Sequence, residues 1–260
     1  MGHSTFLVQL GAINVLTDPI WSDRASPVQW AGPKRLSPPG FPIDRLPPID
    51  LVIQSHDHYD HLDDRTVRRL VADHPAARWV APLGVGAFLR DRGARDVSEH
   101  DWWDEIDAAG VRVGCAPAQH FSGRGFRDRN RSLWCSWVLR VSGTRVFFCG
   151  DSGYHGDFAE IGRRFGPFDV ALMPVGAYEP RWFMQPVHMN PEEAVTAFRD
   201  LHRSHGSEGR GAFVPMHWGT FRLTDEPVEE PPALAEDHWR RAGLPGDGFW
   251  RLAHGETRGR

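Results

Sequence analysis

The sequence predicts a layered α/β domain, because strand-length apolar runs alternate with helical patterns along the whole chain. A length of 260 residues fits one large domain, and we expect a single domain over residues 1–260. Hydrophobic residues make up 40% of the chain and charged residues 25%, as in ordinary globular proteins. Periodicity alone leaves open whether the strands form one doubly wound sheet or a sandwich of two sheets.

Ten apolar runs rich in Val, Ile, Leu, Phe and Trp predict the strands, and many of them end in Gly, Pro, Asp or Ser. They fall into two groups with helices between them, which is typical of stacked layers. The runs are residues 6–10, 12–17, 50–54, 78–81, 111–117, 133–141, 145–149, 169–175, 212–215 and 248–253.

Helical patterns occupy the segments between these runs. Residues 63–72 place three apolar side chains on one stripe, as an amphipathic helix does. Asn190 is suited to cap a helix that begins at Pro191, and Glu193 lies at the capping-box position. Further helices are expected at residues 85–90, 156–164 and 232–242. The proline-rich segment 33–48 predicts a long ordered loop.

Composition excludes several classes of function. The net charge is −4 and no block of like charges occurs, so we expect no nucleic-acid partner. The apolar runs are far shorter than the ~20 residues that span a bilayer, so we expect no transmembrane segment, although peripheral contact with lipid stays open. The three cysteines lie in or beside apolar runs, which predicts buried free thiols and a reducing, cytoplasmic compartment; they are Cys115, Cys135 and Cys149.

The strongest chemical signal is a histidine-rich cluster that follows the apolar run Leu51-Val52-Ile53 directly. Imidazole nitrogen and carboxylate oxygen are the usual ligands of zinc and similar ions. A polar loop without a ligand would place many ionisable groups at a strand end at a high desolvation cost. The cluster therefore predicts a metal site; its ligand-type residues are His56, His58, Asp60 and His61.

Three later residues have the same placement, since each is a ligand-type residue that follows a predicted strand. His120 comes after residues 111–117, Asp151 after the run that ends at Cys149, and His217 after residues 212–215. Any one of them alone is more often an ordinary polar residue. Because the ends of strands gather at one edge of a sheet, the three together with the first cluster predict two metal ions.

The pattern His-x-His-x-Asp-His, followed by single His, Asp and His residues, resembles the metallo-β-lactamase superfamily. This resemblance implies an αββα four-layer sandwich with the metals at one edge. It implies that the first ion is bound by His56, His58 and His120. It implies that the second ion is bound by Asp60, His61 and His217, with Asp151 bridging the two ions. Asp18, in the run Thr17-Asp18-Pro19, matches an aspartate that supports the metal loops without binding metal.

Longer runs resemble the N-acyl-phosphatidylethanolamine-hydrolysing phospholipase D family over nearly the whole chain. These runs are residues 16–20, 24–27, 32–35, 101–103, 150–154, 164–169, 176–184, 188, 191–194 and 217–221. Two features differ from the family. The chain opens at Gly2-His3-Ser4-Thr5, so we expect the N-terminal extension of relatives to be absent, and Asp57 replaces an asparagine of the mammalian enzyme at a non-ligand position.

The resemblance implies a hydrolase that cleaves N-acyl-phosphatidylethanolamine or a related phosphodiester through a metal-bridging hydroxide. Asp60 and Asp151 are expected to orient the nucleophile and accept its proton. His188 is expected to contact the substrate or leaving group, and Tyr178 to contact the substrate, whereas His3 is expected to form a structural hydrogen bond. Zinc is the expected metal, and manganese or iron fit the same ligands.

The alternative is a lactonase of the ascorbate-6-phosphate lactonase type, which has the same fold. Dependence of the rate on the acyl chain would separate a lipid enzyme from a lactonase. The expected partner is therefore a phospholipid or a small phosphodiester, and the expected location is the cytoplasm with peripheral contact at the inner membrane face. The sequence does not predict an oligomeric state.

Overall fold

The computed structural model describes residues 1–207 and 210–259. In these residues the strands form two sheets, one of five strands and one of six. The first sheet contains β1 (Leu7–Leu10), β2 (Ile13–Thr17), β3 (Leu51–Ile53), β4 (Arg78–Pro82) and β5 (Asp96–His100). The second contains β6 (Glu105–Ala108), β7 (Val111–Ala116), β8 (Ser136–Val141), β9 (Thr144–Phe148), β10 (Val170–Pro174) and β11 (Ala212–Met216).

The first sheet is mostly parallel: β2 to β5 run in one direction, and only β1 is antiparallel to β2. Alternate side chains point to opposite faces of a strand. On β3, Leu51 and Ile53 therefore pack into the core between the sheets, whereas Val52 packs on the outer face. On β4, Val80 faces inward and Trp79 faces outward.

The second sheet has strand order β11-β10-β9-β8-β7-β6. β9, β10 and β11 are parallel to one another. β8 is antiparallel to both β7 and β9, so β7 runs in the same direction as β9. The carboxyl ends of β7, β9, β10 and β11 consequently lie at one edge of the sheet.

Helices cover the outer faces of both sheets. α1 (Asp64–Asp73) and α2 (Gly86–Asp91) bury apolar residues against the outer face of the first sheet. α5 (Pro191–Arg203) packs on both α3 (Asp157–Phe165) and α6 (Glu230–Arg241), and all three helices bury apolar residues in the core of the second sheet. α4 (Arg181–Met184) is a single turn. The order helix, sheet, sheet, helix confirms the αββα four-layer sandwich.

The predicted cap of α5 is present. The Asn190 side chain accepts a hydrogen bond from the backbone N–H of Glu193, and the Glu193 side chain accepts one from the backbone N–H of Asn190. This reciprocal pair satisfies two backbone donors at the start of the helix. It also fixes the point at which the preceding segment, including His188, joins the helix.

Several predicted boundaries are wrong. Residues 248–253 do not form a strand, since only a bridge from Phe249 to Phe213 and one hydrogen bond from Trp250 join them to β11. β8 begins at Ser136 and not at residue 133. The backbone N–H groups of Leu133 and Cys135 donate to the carbonyls of Leu83 and Ser55, which lie outside the second sheet. β5, β6 and α4 were not predicted, and β5 and β6 are polar edge strands with little apolar periodicity.

Two expectations about composition can be compared with the structure. All three cysteines are buried and free, as predicted. Among the described residues, no helix has both the length and the apolar character needed to cross a bilayer.

Candidate metal centre

The predicted ligands lie in loops that follow strands at one edge of the sandwich. The His56–His61 segment connects β3 to α1, His120 follows β7, Asp151 follows β9, and His217 follows β11. The structure brings these side chains together although they are up to 161 positions apart in the chain, counting from His56 to His217. The convergence results from the common direction of the strands, which places their carboxyl ends at the same edge.

One group consists of three imidazoles. The Nε2 atoms of His56 and His120 lie 3.0 and 3.1 Å from Nδ1 of His58. His56 and His120 are buried and His58 is partly buried. Three ring nitrogens at such separations suit a single cation bound at about 2.0–2.1 Å from each nitrogen.

A second group lies beside the first. Oδ2 of Asp60 is 3.4 Å from Nε2 of His61 and 3.4 Å from Nε2 of His217. Oδ2 of Asp151 lies 3.1 Å from His61 and 3.2 Å from His217. The same Asp151 oxygen is 3.8 Å from Nε2 of both His56 and His120, so this carboxylate stands between the two groups.

Hydrogen bonds outside the cluster set the orientation of its rings. Nδ1 of His61 donates to Oδ2 of Asp18 at 2.7 Å, and Nδ1 of His120 donates to the carbonyl of Val187 at 2.9 Å. A neutral imidazole that donates through Nδ1 presents a lone pair on Nε2. In the neutral form, both rings therefore direct an unprotonated Nε2 into the cluster, as a metal ligand requires.

Asp18 supports this arrangement at the end of β2. Its carboxylate also accepts hydrogen bonds from the backbone N–H of Ser55 at 2.7 Å, from the Ser55 hydroxyl, and from Gln54 Nε2 at 3.1 Å. The Ser55 hydroxyl lies 2.8 Å from Nδ1 of His56. One buried carboxylate thus fixes the strand end from which the histidine cluster begins.

Several buried atoms of the cluster have no hydrogen-bond partner. Nε2 of His61, both ring nitrogens of His217 and Oδ1 of Asp151 are of this kind. An unsatisfied buried polar atom costs about 1–3 kcal/mol, so several at one point call for an explanation. Cations that bind these lone pairs would satisfy them, and the donor set of imidazole and carboxylate suits divalent metal ions. The residues therefore fit a metal centre.

The electrostatics of the site also favour bound cations. Burial opposes ionisation of Asp60 and Asp151, but the neighbouring histidines hold the pKa of both carboxyls well below the usual range. Burial would lower the pKa of His61 and His217, yet the two carboxylates outweigh it, raising that of His61 well above its usual value and that of His217 to about 9. Without metal the carboxylates attract protons onto these rings, and bound cations would supply that positive charge instead.

The first group is different, because burial lowers the pKa of all three of its imidazoles; these are His56, His58 and His120. Neutral imidazole is the form that binds a metal ion. The three rings are therefore in a binding-competent state near neutral pH.

His3 also belongs to the cluster, which its sequence context did not reveal. Its Nε2 lies 2.9 Å from Oδ2 of Asp60, and its ring centroid lies 4.0 Å from that of His217. The backbone N–H of His3 donates to the Thr220 hydroxyl at 2.6 Å, so the loop after β11 holds this turn in place. The predicted structural hydrogen bond is present, and its partner is a candidate ligand.

The two predicted substrate contacts differ in their surroundings. His188 is buried beside the cluster, with Nε2 at 3.9 Å from Oδ2 of Asp151 and Nδ1 without a hydrogen-bond partner. The Tyr178 hydroxyl instead donates to Glu230 at 2.9 Å. Within the described residues Tyr178 forms no hydrogen bond to the seven candidate ligands, so its contact with a substrate stays a prediction.

Comparison with known families gives one match to most of the chain. The model of the β-lactamase superfamily domain matches residues 13–218. A solved metallo hydrolase of Ignicoccus hospitalis, Igni18, is similar with a TM-score of 0.69 over 99% of this chain and 94% of that protein, at 21% sequence identity. Since the identity is low, this likeness shows the fold alone.

Two relatives are more similar in sequence. An uncharacterized protein of Mycobacterium tuberculosis is 48% identical over 232 residues, which are 88% of this chain and 60% of that protein. N-acyl-phosphatidylethanolamine-hydrolyzing phospholipase D 1 of Caenorhabditis elegans is 40% identical over 242 residues, which are 89% of this chain and 66% of that enzyme. The chain thus spans less than two thirds of the length of these relatives.

Proposed function

Because the chain belongs to the β-lactamase superfamily, we propose that it is a metal-dependent hydrolase that cleaves N-acyl-phosphatidylethanolamine or a related phosphodiester. The observation that supports this best is the convergence of seven ligand-type side chains, several with buried, partnerless nitrogen or oxygen atoms, at one edge of the sandwich. A member of the family that no longer binds metal would be expected to have lost ligand residues, whereas this chain has a ligand-type residue at all seven positions.

We assign two divalent ions to the cluster, with zinc as the first choice. His56, His58 and His120 would hold one ion. Asp60, His61 and His217 would hold the other, and the Asp151 carboxylate would contact both. Such ions lower the pKa of a bound water toward neutrality and offset the negative charge that develops on phosphoryl oxygen.

The chain's own groups position the reactants around this centre. Oδ2 of Asp60 is occupied by His3, whereas its Oδ1 accepts no hydrogen bond from the described residues and is available to take the proton of an attacking water. His188 has a buried Nδ1 without a partner, and this ring can hydrogen-bond a phosphoryl or leaving-group oxygen. Burial lowers the pKa of His188 to about 4, so the neutral ring would act as a hydrogen-bonding group near pH 7.

The phospholipid substrate is proposed on the similarity to the nematode enzyme, whose name states that activity. Several of the runs that carry the resemblance adjoin the cluster, among them the strand end at Asp18, the segment that follows Asp151 and the loop at His217, whereas residues 164–169 precede β10 at the opposite edge. Runs of this length favour a related substrate more strongly than the metal ligands do, since many hydrolases share the ligands.

The test is product analysis by mass spectrometry after incubation of the zinc-loaded protein with N-acyl-phosphatidylethanolamine. Phosphatidic acid and N-acylethanolamine are expected from the wild type, and not from Asp151→Asn. Asp107→Asn, a change at an exposed position of the edge strand β6, is the matched control and should retain activity. Absence of turnover with metals confirmed bound would reject this substrate, and hydrolysis of lactones would then support the lactonase alternative.

A further inference from the structure

Three of the most exposed aromatic side chains lie in two segments next to the metal cluster. Phe126 is fully exposed in the segment 121–132, and Trp182 and Phe183 are 82% and 63% exposed on α4. The rings of Trp182 and Phe183 contact each other at 5.6 Å between centroids. Large aromatic groups in water are costly, and several on one side of a protein mark an interaction surface.

The segment 121–132 is anchored at the metal cluster by Asp57. One carboxylate oxygen of Asp57 accepts from the backbone N–H of Gly123 at 2.8 Å, and the other accepts from the Ser132 hydroxyl at 2.8 Å. Arg124 donates to the Asp57 carbonyl at 2.6 Å. Because Asp57 lies between two candidate ligands, both ends of the segment are fixed at the cluster and the residues around Phe126 project from it.

α4 is anchored to the same cluster from another direction. Arg181 donates to the carbonyl of His188 at 2.9 Å and forms an ion pair with Glu193 at 2.7 Å. The Val187 carbonyl accepts from His120, as described above. The turn that carries Trp182 and Phe183 is thus held against the histidines, and the aromatic side chains border the cluster on two sides.

The segment around Phe126 is also positively charged. Arg127, Arg129 and Arg131 are exposed and form no ion pair within the described part of the chain, and Arg129 lies over the ring of Phe121 at 4.4 Å from its centroid. The carboxylate of Asp128 accepts from the backbone N–H groups of Arg124 and Gly125, so it is engaged within the segment. Exposed aromatic side chains beside unpaired arginines complement the interface of a bilayer with anionic head groups.

We infer that α4 and the segment 121–132 form a docking surface for an anionic lipid bilayer, with Trp182, Phe183 and Phe126 entering the interface. This inference rests on the proposed function, since it explains how a phospholipid head group would reach the cluster without leaving the membrane. The aromatic rings supply apolar area, and the arginines contact lipid phosphates.

The experiment is sedimentation of the metal-loaded 260-residue chain with vesicles of phosphatidylcholine, with or without phosphatidylglycerol. Trp182→Ser/Phe183→Ser and Phe126→Ser are each expected to lower the partition coefficient at least about tenfold on both vesicle types. Arg127→Ser/Arg131→Ser is expected to lower it about 25-fold, about fivefold for each arginine, on the anionic vesicles only.

Arg45→Ser/Arg95→Ser is the charge-matched control, because these exposed arginines precede the amino ends of β3 and β5 at the opposite edge. This control should bind like the wild type. Vesicle binding that is absent in the wild type, or unchanged in the aromatic variants, overturns the docking surface.

Hydrolysis of a soluble chromogenic phosphodiester separates the two proposals. The docking variants should retain this activity while losing activity on vesicles. Vesicle binding that depends on the aromatic residues, without hydrolysis of any phosphodiester, would reject the proposed function and leave the docking surface supported. Full lipid activity in all docking variants would reject the docking surface and leave the hydrolase supported.

Discussion

Replacement of Asp18 by asparagine tests whether this buried carboxylate organises the metal centre. The carboxylate accepts four hydrogen bonds, from the backbone and hydroxyl of Ser55, from Gln54 and from His61. Each of its two oxygens faces two donors. Whichever way an asparagine amide is placed, its NH2 group faces two donors and loses two hydrogen bonds.

The expected magnitude follows from this geometry. A hydrogen bond to a charged group contributes about 1.5–3 kcal/mol, so two lost bonds correspond to roughly 3–6 kcal/mol. Burial raises the pKa of Asp18, which means that the charge is costly to bury and that a neutral amide recovers part of this cost. We therefore expect Asp18→Asn to lower the free energy of unfolding of the metal-free protein by about 3 kcal/mol.

The variant should also bind metal more weakly. In either placement His61 Nδ1 no longer donates to a carboxylate, and replacing such a partner of a ligand typically lowers metal affinity about 10- to 100-fold. Denaturant unfolding in the presence of a chelator measures the stability, and competition with a chromogenic chelator measures zinc affinity. Stability within about 0.5 kcal/mol of wild type together with unchanged zinc affinity would refute the reasoning, provided that Asp107→Asn behaves as wild type.

Three further predictions concern other parts of the site and core. His3→Ala should lower zinc affinity or turnover about tenfold, whereas His3→Gln should restore part of it by donating to Asp60; equal losses in both variants would contradict an orienting role. Gly150→Ala should lower the free energy of unfolding by about 1–3 kcal/mol, because Gly150 has φ +62° and a Cβ there would lie 2.7 Å from Ser55 Cβ, and an unchanged denaturation midpoint would argue against this strain. Burial should keep the three cysteines unreactive toward Ellman's reagent until the protein is denatured, and rapid reaction of the native protein would show that the core is open.

The sequence predicted the elements whose pattern is local. β3 and β10 are continuous apolar runs, and α5 carries its own cap, so periodicity and capping residues identify them. β5 and β6 were missed because an edge strand has one free edge and tolerates polar side chains. Residues 248–253 were wrongly predicted as a strand because burial of apolar rings beside β11 requires no continuous ladder of hydrogen bonds.

For the site, the sequence by itself determined which side chains could act as ligands, because His56–His61 form a dense motif directly after a strand. The family resemblance implied how these side chains group, and only the tertiary structure gave the distances, such as the 3.1 and 3.8 Å that separate Asp151 Oδ2 from His61 and His120. It also decided that His3 reaches Asp60 and that Asp57 anchors the segment 121–132. The contacts of His3 and Asp57 join residues 57 or more positions apart. They depend on how the two sheets stack and where parallel strands end, and local periodicity carries no information about either.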